Sequence, residues 1–130
     1  MIRDVMHADA WLFSAKQAWQ HLFFRWVAIA SLLLVMVGST YFLWKVVPMR
    51  KHHPAFVSHY NVYLGIDQVG SWTWAWILPG VWFLITLLDL VIAYGIYRTD
   101  FYLAASLLIV ACAWGLPWMG ALFYLTLVNA

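Results

Sequence analysis

Three long runs of apolar residues, with only one charged side chain in their interiors, constrain the fold of this chain more than any other feature. The first run has no charge from residue 26 to 44, the second contains Asp89 alone, and the third has none. A helix needs about 20 residues to cross roughly 30 Å of hydrocarbon. The runs therefore predict three transmembrane helices, at 26–47, 72–97 and 101–128.

The overall composition supports a lipid environment for most of the chain. Of the 130 residues, 66% are hydrophobic and only 9% are charged, whereas soluble domains average about 25% charged residues. The net charge of +2 is too small to indicate a nucleic-acid partner. We therefore expect an all-α fold, a three-helix transmembrane bundle in one membrane domain spanning 1–130, with the lipid bilayer as its surroundings.

The N-terminal segment, residues 1–21, has apolar residues at helical spacing with polar residues between them. This pattern predicts an amphipathic helix, with Asp9 as a candidate N-cap. The helix either lies on the membrane surface before the bundle or forms the first turns of one long helix that continues into the bilayer.

The connection at 48–71 contains two helix-breaking prolines, Pro48 and Pro54. Its second half alternates with a period of two, which predicts one extended interfacial segment that leans on the helices. The apolar side of this segment would consist of Tyr60, Val62, Leu64 and Ile66. The candidate functional residues of the loop are His59, Asn61 and Asp67 on the polar side, and Tyr60 on the apolar side. The loop histidines have the spacing of no recognised metal site, so no metal is predicted.

Asp89 is the most informative single residue, because a central Asp costs roughly 2.5–3.5 kcal/mol on insertion scales. This cost predicts that Asp89 faces another helix and has a hydrogen-bond partner. Ser31 and Ser106 are expected in the same leaflet, so the three residues are candidates for an intramembrane polar cluster. Asp89 is either a structural hydrogen-bonding group or part of an ion or proton path.

The third run also contains a small-xxx-small pair, Ala111 and Gly115, which is a candidate helix-packing position. We find no phosphate loop, no nucleophile with an adjacent base and no paired carboxylates. No catalytic residue and no cofactor is therefore predicted, and an enzyme is the less favoured class.

Residues 59–67 read His-Tyr-Asn-Val-Tyr-Leu-Gly-Ile-Asp, and Gly70 and Trp72 follow before the second run. This stretch resembles a motif in a family of uncharacterised small bacterial membrane proteins, in which a Tyr-Arg-x-Asp turn also joins two spans, as residues 97–100 do here. The resemblance covers roughly residue 41 to the C-terminus. It implies a bacterial inner-membrane protein of this architecture and implies no activity.

Small size and the absence of a catalytic pattern favour a non-enzymatic subunit or accessory component of a larger membrane complex. Its partners would be other membrane protein subunits or further copies of itself. The alternative is a small transporter or channel component that uses Asp89. Basic residues near the spans are almost evenly divided between the two sides. The lack of an export signal before the first helix favours a cytoplasmic N-terminus.

Overall fold

The computed structural model describes residues 2–61, 63 and 65–129, apart from the side chains of residues 2–7, 60, 61 and 67. The chain is mostly helical, with one β-hairpin between its second and third helices. The elements are α1 (Ile2–Gln20), α2 (Leu22–Val46), a short 3-10 helix (Val47–Lys51), β1 (Phe56–Asn61), β2 (Gly65–Gly70), α3 (Trp74–Ile96) and α4 (Phe101–Asn129).

Helices α2, α3 and α4 are long and apolar enough to cross a membrane. They contain 25, 23 and 29 residues, which corresponds to about 38, 35 and 44 Å at 1.5 Å per residue. Each exceeds the hydrocarbon thickness of about 30 Å. The predicted three-helix membrane bundle is confirmed, and the predicted spans lie within a few residues of these helices.

Each spanning helix turns one narrow face toward the other two. In α2 the buried positions alternate by four and three residues for most of the helix, a spacing typical of left-handed helix packing. The buried residues are Phe24, Ala28, Ser31, Val35, Gly38, Phe42 and Val46 in α2, Ala75, Pro79, Trp82, Thr86, Leu90 and Ala93 in α3, and Ala104, Leu108, Ala111, Gly115, Leu122, Thr126 and Asn129 in α4.

Helix α1 is separate from α2 because His21 adopts an extended backbone conformation, with φ −78° and ψ 118°. Ser14 on α1 is buried, and its hydroxyl donates to the Tyr94 carbonyl oxygen at 2.9 Å. The structure thus has a distinct helix that precedes the bundle and packs against the end of α3. The N-cap prediction for Asp9 is wrong, because α1 begins at Ile2 and Asp9 lies within it.

The connection between α2 and α3 is an antiparallel hairpin, so the prediction of one unpaired extended segment is wrong. The alternating residues run through the turn between β1 and β2, where Gly65 adopts a φ of +77° that favours glycine. Pairing satisfies backbone groups that a lone strand would leave without partners. Tyr60 and Ile66 are cross-strand partners, and Ile66 is more than half exposed. Val62 and Leu64, also assigned to the apolar side, lie outside the described residues.

The side chain of Asn129 connects the end of α4 to the hairpin through two hydrogen bonds. Its Oδ1 accepts from the Val57 backbone N–H at 2.8 Å, and its Nδ2 donates to the Val57 carbonyl oxygen at 2.9 Å. The amide thus pairs with the outer edge of β1 as a neighbouring strand would. Beside it, Phe56 is fully buried against Phe42 and Trp72. The hairpin is therefore an integral part of this end of the bundle.

Candidate functional site

Asp89 lies at the edge of the packed face of α3. It follows Thr86 by three residues and precedes Ala93 by four, and both of these residues are buried. Residues at these spacings share one side of a helix. Leu90 occupies the neighbouring buried position, so the Asp89 side chain lies at the boundary between the bundle and its surroundings and is only partly buried.

The Asp89 carboxyl group is unpaired in the described part of the structure. Among the described residues, none forms a hydrogen bond or an ion pair with it. Ile96, the last residue of α3, follows Asp89 by seven positions, which places Asp89 about 10 Å inside the helix end. The prediction of a hydrogen-bond partner for Asp89 is therefore not met among the described residues.

Ser31 and Ser106 direct their hydroxyl groups to their own helices. The Ser31 Oγ donates to the Val27 carbonyl oxygen at 2.8 Å, and the Ser106 Oγ donates to the Leu103 carbonyl oxygen at 2.9 Å. Ser31 is buried, whereas Ser106 is exposed. A hydroxyl three or four residues after a carbonyl can reach it within the helix, which satisfies the donor without a neighbour. No hydrogen bond joins either serine to Asp89.

Ala111 and Gly115 are both buried between the helices. A Cβ atom added to Gly115 would lie 3.2 Å from Leu34 Cδ1 on α2 and 3.6 Å from Trp82 Cζ2 on α3. Gly115 thus lies where all three spans approach one another. The close approach involves the chain's own α2 and α3.

Sequence reasoning missed a stacked pair of tryptophans at the centre of these contacts. The rings of Trp82 and Trp118 are 6.2 Å apart and nearly parallel, at 5°. The indole N–H groups of both residues, and the hydroxyl of Ser39, are buried without a hydrogen-bond partner among the described residues. The available signal was Gly38, the only glycine of α2, whose missing side chain leaves room for the Trp82 ring.

The interfacial loop candidates lie on the hairpin. His59 is exposed on β1, and its backbone pairs with Gln68. The side chains of Tyr60, Asn61 and Asp67 are outside the described part of the structure. Within the part that is described, no three His, Cys, Asp or Glu side chains converge on one point.

The chemistry available at the Asp89 site is that of a single carboxyl group at a helix edge. Such a group can accept a hydrogen bond from a neighbouring helix, or hold and release a proton. It is the only charged residue in α3, and α4 has none. Comparison of the chain with protein-family models, curated proteins and solved structures finds no match.

Proposed function

We propose that this integral membrane protein is a non-enzymatic subunit or accessory component of a larger membrane assembly, in which Asp89 accepts a hydrogen bond from another chain. The observation that carries the proposal is the partly exposed Asp89 carboxyl group, about 10 Å inside α3 and without a partner in the part of the chain that the structure describes. Unsatisfied polar groups in hydrocarbon cost several kcal/mol.

The position of Asp89 on α3 supports an external partner. The adjacent packed face is already filled by Thr86, Leu90 and Ala93, so a donor must approach from outside the bundle. Hydrogen bonds between membrane helices contribute about 0.6 kcal/mol on average and up to about 1.7 kcal/mol. One such bond gives specificity to an interface whose area comes from apolar contacts.

The outer surface of the bundle provides that apolar area. Only 28%, 28% and 22% of the most apolar stretches of the three spans are buried within the chain. The rest is covered by lipid or by protein, and lipid satisfies apolar side chains equally well. The apolar surface thus permits an assembly, whereas Asp89 is the group that favours one.

The test is the mass of the complex that this chain forms in its own membrane, after solubilisation in a mild detergent. We expect the wild-type chain, of 15.1 kDa, to migrate in a species larger than one chain with its detergent. Asp89→Leu should shift the chain toward the single-chain species, and Asp89→Asn, which still accepts a hydrogen bond, should retain most of the larger species.

Two results contradict the proposal. One is a wild-type protein that is a single chain under the mildest extraction, with Asp89→Leu identical to it. The other is a loss of proton or ion flux in Asp89→Asn vesicles, with helical content and assembly unchanged, which would favour the transporter alternative.

We further propose a bacterial inner membrane, on the motif at 59–67, and a cytoplasmic N-terminus. With three spans, α1 and the turn at 97–100 share one side, and the hairpin and the C-terminus share the other. The support for this orientation is the basic turn between α3 and α4, which is too short to carry an exposed function. The positive-inside rule itself is nearly balanced, because Lys16, Arg25 and Arg98 on one side face Lys45, at the end of α2, and Arg50 and Lys51, just after it, on the other.

A further inference from the structure

A pocket of about 490 Å³ with a partly polar lining lies between α1 and the end of α3. Its lining residues are Ala10, Trp11, Ser14, Gly95, Arg98 and Thr99. Arg98 is the only charged residue among them, and no described acidic side chain pairs with it. Its guanidinium carbon lies 4.8 Å from the centre of the Phe13 ring, so a cation–π contact holds the charge beside the pocket.

An apolar groove of about 180 Å³ begins on the other side of Trp11. Its lining residues are Trp11, Trp19, Ala28, Leu32, Leu90, Val91 and Tyr94. Its polar side-chain groups are the two indole N–H groups and the Tyr94 hydroxyl, which donates to the Phe24 carbonyl oxygen at 3.2 Å. An engineered apolar cavity of about 150 Å³ holds benzene, so this groove is large enough for a segment of about six carbons.

The pocket and the groove lie along one face of α3. Val91 and Arg98 are seven residues apart, which is two helical turns and about 10 Å, and Tyr94 and Gly95 lie between them. Arg98 is in the turn at the membrane end of α3, whereas Val91 is within the span. The depth thus changes from the headgroup level to the hydrocarbon between the two residues.

We propose that this combined site binds one anionic phospholipid, with its phosphate beside Arg98 and one acyl chain in the groove beneath Trp11. Basic pockets at the ends of membrane helices bind lipid phosphates in this way. The acidic residues near the pocket do not oppose an anionic occupant. Asp9 precedes Lys16 by seven residues and shares its side of α1, which is away from Trp11. The Asp100 Oδ1 atom accepts from the Leu103 N–H at 2.9 Å.

Native mass spectrometry of delipidated protein, titrated with phosphatidylglycerol or phosphatidylcholine, tests the site. We expect one tightly held phosphatidylglycerol for each wild-type chain. Arg98→Gln should weaken phosphatidylglycerol binding about fivefold, since one base near the surface contributes about that factor. Phosphatidylcholine binding should weaken less, because the choline cation offsets the charge of its phosphate. Arg50→Gln, at the other end of the bundle, is the matched control and should bind as the wild type.

The groove is tested by a second pair of variants. Val91→Phe fills the groove and should abolish binding of both lipids, whereas Ile92→Phe, at a neighbouring exposed position outside the groove, should have no effect. Circular dichroism verifies helical content in every variant. Equal binding by the two phenylalanine variants would overturn the proposal. So would full displacement of the lipid by inorganic phosphate, which would indicate an ion site, or a dimer that only Val91→Phe disrupts, which would place a second copy in the groove.

Discussion

Replacing Gly38 by alanine tests the packing where the three spans meet. A Cβ atom at this position would lie 2.9 Å from Trp82 Cζ3, 3.0 Å from Trp82 Cη2 and 3.2 Å from Met119 Cγ. Trp82 is 1% exposed and stacked on Trp118, so its ring has no free direction in which to move. Overpacking of this kind costs about 1–3 kcal/mol.

Gly120 provides the matched control, because nothing lies within 4 Å of a Cβ atom added there. Both glycines are inside spanning helices, so the gain of up to about 1 kcal/mol in helix propensity applies to both and cancels in the difference. We therefore expect Gly38→Ala to have a free energy of unfolding about 1–3 kcal/mol lower than that of Gly120→Ala.

The difference can be measured by reversible unfolding in mixtures of mild detergent and dodecyl sulfate, followed by circular dichroism. Substitutions that touch nothing usually change stability by less than about 0.5 kcal/mol. If the two variants agree within that range, the close contact between Gly38 and Trp82 is not a feature of the folded protein.

Two further predictions concern the hairpin and the orientation. Asn129→Leu removes both bonds to the Val57 backbone, at about 0.5–1.5 kcal/mol each, so hydrogen exchange in β1 should accelerate. Thr126→Val, whose hydroxyl bonds only to its own helix, should leave that exchange unchanged. For orientation, an alkaline phosphatase fused after Ala130 should be active and a fluorescent protein there should be dark, and the reverse pattern would place the C-terminus inside.

The spans were predictable because a charge-free run of about 20 residues has few alternatives to a membrane helix. The hairpin was not, because an alternating pattern has the same period on both sides of a tight turn, and the turn depends on the positive φ of Gly65. The role of Asn129 was equally hidden, since it depends on a contact with Val57, 72 residues earlier in the chain.

For the candidate site, the sequence identified the residue but not its surroundings. Asp89 was evident from its cost in an apolar run, and that cost predicted a partner. Whether the partner lies in the same chain depends on which side of α3 faces α2 and α4. Leu90, one position after Asp89, occupies the buried site on that side, so Asp89 lies at its edge. Ser31 and Ser106 were grouped with Asp89 only because all three were expected at a similar depth in the membrane. That grouping did not consider that each serine hydroxyl can donate to a carbonyl oxygen of its own helix.

The central claim, that Asp89 contacts another protein chain, is tested most directly by photo-crosslinking from that position in intact membranes. A photoreactive residue at position 89 should form an adduct with a second polypeptide. The same residue at position 88, where Leu88 is 59% exposed on a neighbouring side of α3, should react mainly with lipid. Adducts with lipid alone from both positions would contradict the account.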